Sequence, residues 1–227
     1  FGYMMAHPGK KLLFMGQDFG QFIEWDEKKQ LDWMLLGYDK HRELQSYVKA
    51  LNHFYRDTPA LWQVDYSWEG FQWIVPDDSK QSVIAFLRRD AAGKMVLVVC
   101  NFNPVLRKDY EMGVPNPGSY KEILNSDAKE YGGSGVTNGT VKSVKGPMHG
   151  FNQHIAVTLP PLSTLYFSVP SARKPRAGKP KAEAKEAAKP AAKRAAKPAK
   201  AVAPAAQAQT DATPKRRGRP PKAKATV

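Results

Sequence analysis

Between Gln17 and Asp39 the chain gathers the residue types that most readily do chemistry. Asp18, Gln21, Glu24, Trp25 and Trp33 put two carboxylates, an amide and two indoles into one mostly polar and aromatic segment. Carboxylates and amides exchange hydrogen bonds with hydroxyl groups, and an indole offers an apolar face to a ligand ring. Glu24, Asp26 and Glu27 are close enough in sequence to suggest an acid/base pair or a cation site, yet they stand directly before Lys28-Lys29, the pattern of a solvated surface. Trp25 and Trp33 could instead pack the segment onto its support, and Asp18 could cap backbone N–H groups. The five histidines form no i, i+4 pair and none has a cysteine nearby, so no metal site is assigned. Cys100, the single cysteine, excludes an intrachain disulfide and fits a reducing compartment. Gly132-Gly133-Ser134-Gly135 precedes no expected helix and reads as a flexible loop, not a phosphate cradle.

The elements that must position these residues divide the chain into three. The first, residues 1–63, opens with an apolar stretch closed by His7-Pro8-Gly9, which reads as the last turn of a truncated helix and its stop. Lys11–Gly16 is a short continuous apolar run, the form of a strand buried on both faces in a parallel sheet. After the long loop, Leu44, Tyr47, Val48, Leu51, Phe54 and Tyr55 recur at helical spacing, predicting an amphipathic helix over about 40–56 that Pro59 stops. From Tyr66 the period changes to two. Phe71–Val75, Ser82–Arg88, Met95–Asn101, Tyr120–Leu124, Thr140–Val144, His154–Leu159 and Thr164–Val169 are strand candidates, with hairpin turns expected at Asp90–Gly93 and Asn138-Gly139. Seven short strands at fairly even spacing argue an antiparallel β-sandwich over 64–169. The fold class expected is α/β plus all-β.

The third segment, 170–227, is chemically different. Residues 1–170 carry 18 basic and 18 acidic side chains, so the formal net charge of +14 comes wholly from residues 171–227, which hold 17 basic and 3 acidic ones. Those 57 residues contain 19 Ala and 8 Pro but no Phe, Trp, Tyr, Leu or Ile, too little apolar surface to offset chain entropy, so a disordered basic tail is expected. The longest wholly apolar run, Met95–Cys100, is far shorter than the roughly 20 residues of a membrane span. No targeting pattern is visible, and a chain opening at Phe1 reads as beginning in mid-protein.

Leu13-Phe14-Met15-Gly16-Gln17-Asp18-Phe19-Gly20-Gln21, followed by Glu24-Trp25 and Leu31-Asp32-Trp33, closely resembles the bacterial 1,4-α-glucan branching enzymes of the α-amylase superfamily. The likeness continues through Leu51–Arg56, Gly70–Ile74, Ser82–Asp90, Asn101–Pro104, Glu122–Asp127 and Thr158–Thr164, covering about 1–169. Asp18 departs from the Glu expected there, keeping the carboxylate with a shorter reach. The resemblance implies that 1–63 is the last βα unit of a (β/α)8 barrel, with 11–16 as its eighth strand. It also implies a retaining double displacement, in which a carboxylate nucleophile forms a glucosyl intermediate and an acid/base carboxyl hands the segment to a glucan 6-hydroxyl. The family's catalytic carboxylates sit after strands four, five and seven, so none is assigned here and the chain alone is expected to be inactive. Asp18, Gln21, Glu24, Trp25 and Trp33 are the implied substrate-binding residues, α-glucan the implied partner, and no metal or organic cofactor is required. A bacterial cytoplasmic location follows from the same likeness.

The competing reading is a binding protein, for glucan or, through its tail, for nucleic acid. Lys215–Lys222 resembles an AT-hook, in which Arg217 and Arg219 of Arg217-Gly218-Arg219-Pro220 would enter an A·T minor groove. Non-specific attraction of polyanions by seventeen cations needs no such motif. Trp62, Trp68, Phe71 and Trp73 could form a secondary glucan platform, or an aromatic seam joining the first segment to the sandwich.

Overall fold

A computed structural model describes residues 1–171; Arg217, Arg219 and the rest of the tail from 172 onward lie outside the described residues. Among the described residues, nine antiparallel strands form two sheets: β1 (Phe71–Asp78), β2 (Val83–Arg89), β3 (Met95–Asn101), β4 (Arg107–Val114), β5 (Ser119–Asn125), β6 (Thr140–Lys142), β7 (Val144–Met148), β8 (Phe151–Leu159) and β9 (Ser163–Ser168). The larger sheet runs β1-β2-β3-β9-β5-β6 and the smaller β4-β8-β7. Their facing sides meet in one core: Val83, Ala85, Leu87, Leu97, Val99, Leu165 and Phe167 pack against Tyr110, Met112, Val114, Ile155, Val157 and Leu159. This is the expected sandwich.

The large sheet is covered on its other side as well. Helix α1 (Gly2–Ala6) and helix α2 (Asp39–Asp57) lie there, and Met5, Tyr47 and Leu51 pack with Phe86, Val96, Val98, Cys100 and Tyr166. β3 therefore sends Leu97 and Val99 into the sandwich and Val96, Val98 and Cys100 toward the helices. Burial on both faces is why Met95–Cys100 reads as one apolar run instead of an alternation. Residues 1–171 lie within a single compact unit.

Several local expectations hold. The predicted helix is observed over Asp39–Asp57, and Pro59 begins a separate single turn of 3-10 helix. At Asp90–Gly93 the Asp90 Oδ1 accepts from Ala92 N and Lys94 N while Gly93 takes φ of 81°, as a tight hairpin requires.

Three expectations are corrected. Residues 11–16 form no strand, and Leu12 is 76% exposed. A strand of a parallel sheet exists only while neighbours take its backbone hydrogen bonds, and both sheets of the described residues are antiparallel and end elsewhere. No barrel unit stands among the described residues; the helices pack instead on the outer face of the antiparallel large sheet. Asn138-Gly139 is no two-residue hairpin: Asn138 bridges, accepting from Thr158 N at 2.7 Å and donating to Glu122 Oε2 at 2.9 Å. Strand β4 is an addition. Its outward charges, Lys108 and Glu111, obscure the alternation of Tyr110, Met112 and Val114, all buried.

Candidate functional site

The loop from Lys10 to Tyr38 is held by backbone geometry at two glycines. Gly16 (φ 77°) and Gly20 (φ 70°) bracket a single 3-10 turn, Gln17–Phe19, in left-handed conformations that favour glycine. The Gln17 side chain accepts from Phe14 N at 2.9 Å, and Gln21 N donates to the Gly16 carbonyl at 3.0 Å, closing the turn. Phe19 and Leu35 are buried, and His41 of α2 donates from Nδ1 to the Phe19 carbonyl at 2.7 Å. The loop thus hangs on α2 at its two buried apolar side chains.

The five candidate residues separate within this frame. Gln21 is a staple of the loop: Oε1 accepts from Asp32 N at 2.9 Å and Nε2 donates to the Ile23 carbonyl at 3.0 Å. Beside it, Glu24 and Trp25 line the same shallow pocket of about 250 Å³, with Lys29 and Gln30 on its wall. Trp25 stands edge-on to Phe14, ring centroids 5.8 Å apart, which fixes the indole while leaving part of it exposed. Asp18 is elsewhere. It faces α2 across a cavity of about 370 Å³ lined by Gln45, Lys49, Asn52 and His53, and Gln45 Nε2 donates to its Oδ2 at 3.3 Å. Trp33 lies against Phe19 at 5.3 Å with the rings tilted by 31°, so one face of it packs the loop. The arrangement brings Gln21, Glu24 and Trp25 together and sends Asp18 and Trp33 to other surfaces. Lys29 and Gln30 were not singled out from the sequence, because a lysine and a glutamine in a polar loop carry no signal of direction. Asp26 accepts from Lys28 N at 2.9 Å and pairs with Lys29 at 3.6 Å, as a solvated turn does.

The aromatic residues after α2 also divide. Phe71 and Trp73 meet edge-on at 4.8 Å, both contact Phe86, and Trp62 donates from Nε1 to the Arg56 carbonyl at 3.3 Å. Trp68 belongs to no such cluster. Among the described residues no group of three or more His, Cys, Asp or Glu is placed to hold a metal.

Comparison with known proteins fits this architecture. The family profile "Alpha amylase, C-terminal all-beta domain" matches residues 73–170, the strands of the sandwich. The 1,4-alpha-glucan branching enzyme GlgB of Aquifex aeolicus is 56% identical over 169 residues, and that of Halothermothrix orenii 51% identical over 169 residues. Over those 169 residues the chain is similar to 1,4-α-glucan branching enzymes. It spans 27% of the length of these two branching enzymes, while 74% of its own length is matched. Among solved structures, the catalytic module of the multi-modular glycogen-degrading pneumococcal virulence factor SpuA aligns with 66% of this chain and 21% of that one, at 13% identity and a TM-score of 0.42. The matched stretch in the branching enzymes is longer than the all-β profile, so it takes in part of the segment ahead of β1 as well as the sandwich.

Proposed function

We propose that the protein to which this chain belongs cleaves an α-1,4-glucan and transfers the released segment to a glucan 6-hydroxyl, making the α-1,6 branches of glycogen. The observation that carries the reading is identity of about half over 169 residues to proteins named as 1,4-α-glucan branching enzymes. In this scheme the displacement runs on carboxylates supplied outside the chain, and the chain contributes glucan contacts. Trp25 receives the apolar face of a glucose ring and Glu24 takes a hydroxyl at its edge, a division of labour supported by their shared pocket. Gln21 keeps that pocket in shape, since both ends of its amide are used within the loop.

In the same reading, residues 1–63 complete a (β/α)8 barrel and 11–16 become its paired eighth strand. The exposed apolar side chains of Leu12, Phe14 and Met15 support this, because neighbouring strands would bury them. The test is a linkage assay on amylose. The 227-residue chain alone is expected to form no new α-1,6 bonds, and the full-length protein to form them with a shift in the iodine spectrum. Branching by the isolated chain, or none by the full-length protein, refutes the proposal.

A further inference from the structure

The net charge of this chain is confined to one part of it. Residues 1–170 carry 18 basic and 18 acidic side chains, while 171–227 hold 17 basic and 3 acidic ones. The sandwich closes before that basic segment begins. β9 is hydrogen-bonded to β3 on one side and β5 on the other, and Asn116 Nδ2 donates to the Pro170 carbonyl at 2.8 Å. The all-β profile ends at residue 170, and the stretch similar to branching enzymes covers 74% of the chain. The sandwich therefore does not account for the cations of residues 173–224, which lie outside the described residues.

Those cations fall in two runs. Eleven stand between Arg173 and Lys200 with two acidic residues, Glu183 and Glu186, and six stand between Lys215 and Lys224 with none. Residues 201–214 hold no cation and one carboxylate, Asp211. A spacer of that length spans at most about 50 Å, so both runs can reach one polyanion and the second contact adds avidity to the first. Composition selects among the polyanions. Without Phe, Trp, Tyr, Leu or Ile the segment has no ring to stack on unpaired bases and no large apolar side chain to insert into a bilayer. It offers charge alone, and duplex DNA, with one phosphate charge per about 1.7 Å of axis, answers that with the release of condensed counterions. Arg216, Arg217 and Arg219 add guanidinium forks that match phosphate oxygens. Solubility alone would be served better by Asp and Glu, which the segment nearly excludes.

We propose that residues 173–224 are a duplex-DNA-binding segment that holds phosphates through both basic runs and reads no base sequence. Arg217-Gly218-Arg219-Pro220 occurs once, so a single copy would have to supply all A·T selectivity while fifteen other cations carry the attraction. Six phosphates neutralised by the second run alone give a slope of log affinity against log salt near −5, about a thousandfold loss between about 50 and 200 mM salt. None of these residues belongs to the loop pocket, so the segment acts whether or not glucan is bound there.

The experiment follows the fluorescence anisotropy of a labelled duplex of about 20 base pairs, titrated with the 227-residue chain across that salt range. Wild type is compared with a tail variant, K215Q/R216Q/R217Q/R219Q/K222Q/K224Q, and a body variant, K10Q/K80Q/K108Q/K121Q/K142Q/K145Q, whose six lysines are all exposed. Both variants lose the same number of charges. Wild type should bind with a slope of about −5 or steeper, and the tail variant should lower that slope by about five and weaken binding about tenfold or more. The body variant should bind like wild type. A slope shallower than about −2 in wild type, or equal weakening in the two variants, overturns the proposal. Tighter binding to a single strand of the same length, or to phosphatidylserine vesicles, overturns the choice of duplex DNA. A preference for A·T over G·C duplexes that R217A/R219A abolishes overturns the reading of phosphates alone. No arm of the experiment uses glucan, so each of these results leaves the function proposed above standing.

Discussion

Removing the Asp65 carboxylate should cost this fold more than any single change on its surface. Arg88 is 0% exposed and the Asp65 side chain 7%, with NH2 donating to Oδ1 at 2.6 Å. The same guanidinium donates to the carbonyls of Ala6 at 2.5 Å and Gly70 at 3.2 Å, while the other Asp65 oxygen accepts from Gly9 N at 3.0 Å. The pair thus ties α1 and the His7-Pro8-Gly9 turn to β2. Asp65→Ala leaves a buried guanidinium without its counter-charge, at about 3–5 kcal/mol, and an amide at Gly9 without its acceptor. A loss near the middle of that range lowers the melting temperature by about 10 °C for a domain of this size. Arg88→Met in the Asp65→Ala background removes the stranded charge, but leaves the Ala6 and Gly70 carbonyls unpaired at about 1–3 kcal/mol each. The double variant should therefore be less unstable than the sum of the singles, by about 2 kcal/mol or more. Urea unfolding followed by tryptophan fluorescence, with hydrogen exchange at the Gly9 amide, measures all four species. A loss below about 1 kcal/mol in Asp65→Ala, or strict additivity in the cycle, refutes the argument that the pair acts as one unit.

Three further outcomes follow from particular contacts. Burial pushes the Cys100 thiol up from 9.0 to about 12, with Thr164 Oγ1 donating to its sulfur at 3.6 Å as a smaller opposing effect. Because the folded state holds the proton more tightly, this contribution is intact below about pH 9 and is lost as pH rises toward 12. Wild type should then lose about 2 kcal/mol relative to Cys100→Val between pH 8 and 10.5, and equal unfolding curves at both pH values would exclude it. Gly70→Ala drives a methyl group into the Val64 carbonyl and should cost about 2 kcal/mol or more, read from the urea midpoint. Trp33→Ala should lower stability by about 1–2 kcal/mol through its lost packing on Phe19, whereas Trp25→Ala should leave stability within about 0.5 kcal/mol and weaken maltoheptaose binding. The reverse pattern would show that the two indoles have exchanged roles.

The sequence alone determined what depends on near neighbours. The helical spacing from Leu44 to Tyr55 predicted α2 to within a residue or two, since one face of a helix is written every three or four positions. The Asp90–Gly93 turn was legible for the same reason, because its carboxylate bonds amides only two and four residues on. Residues 13–33 sufficed to carry the resemblance to branching enzymes, which the identity to GlgB proteins then bore out. What the tertiary structure decided depends on groups that arrive from far along the chain. Leu12–Met15 have the composition of a buried strand, but composition supplies no partner for a backbone hydrogen bond, and without one the segment forms no strand and leaves Leu12, Phe14 and Met15 exposed. Trp25 and Trp33 are the same residue in the same loop, and only their neighbours, Phe14 and the buried Phe19, part a pocket wall from a packing element. Arg88 reads as one more charge at a strand end. Its carbonyl and carboxylate partners lie 82, 23 and 18 residues away, and folding alone brings them to one buried point.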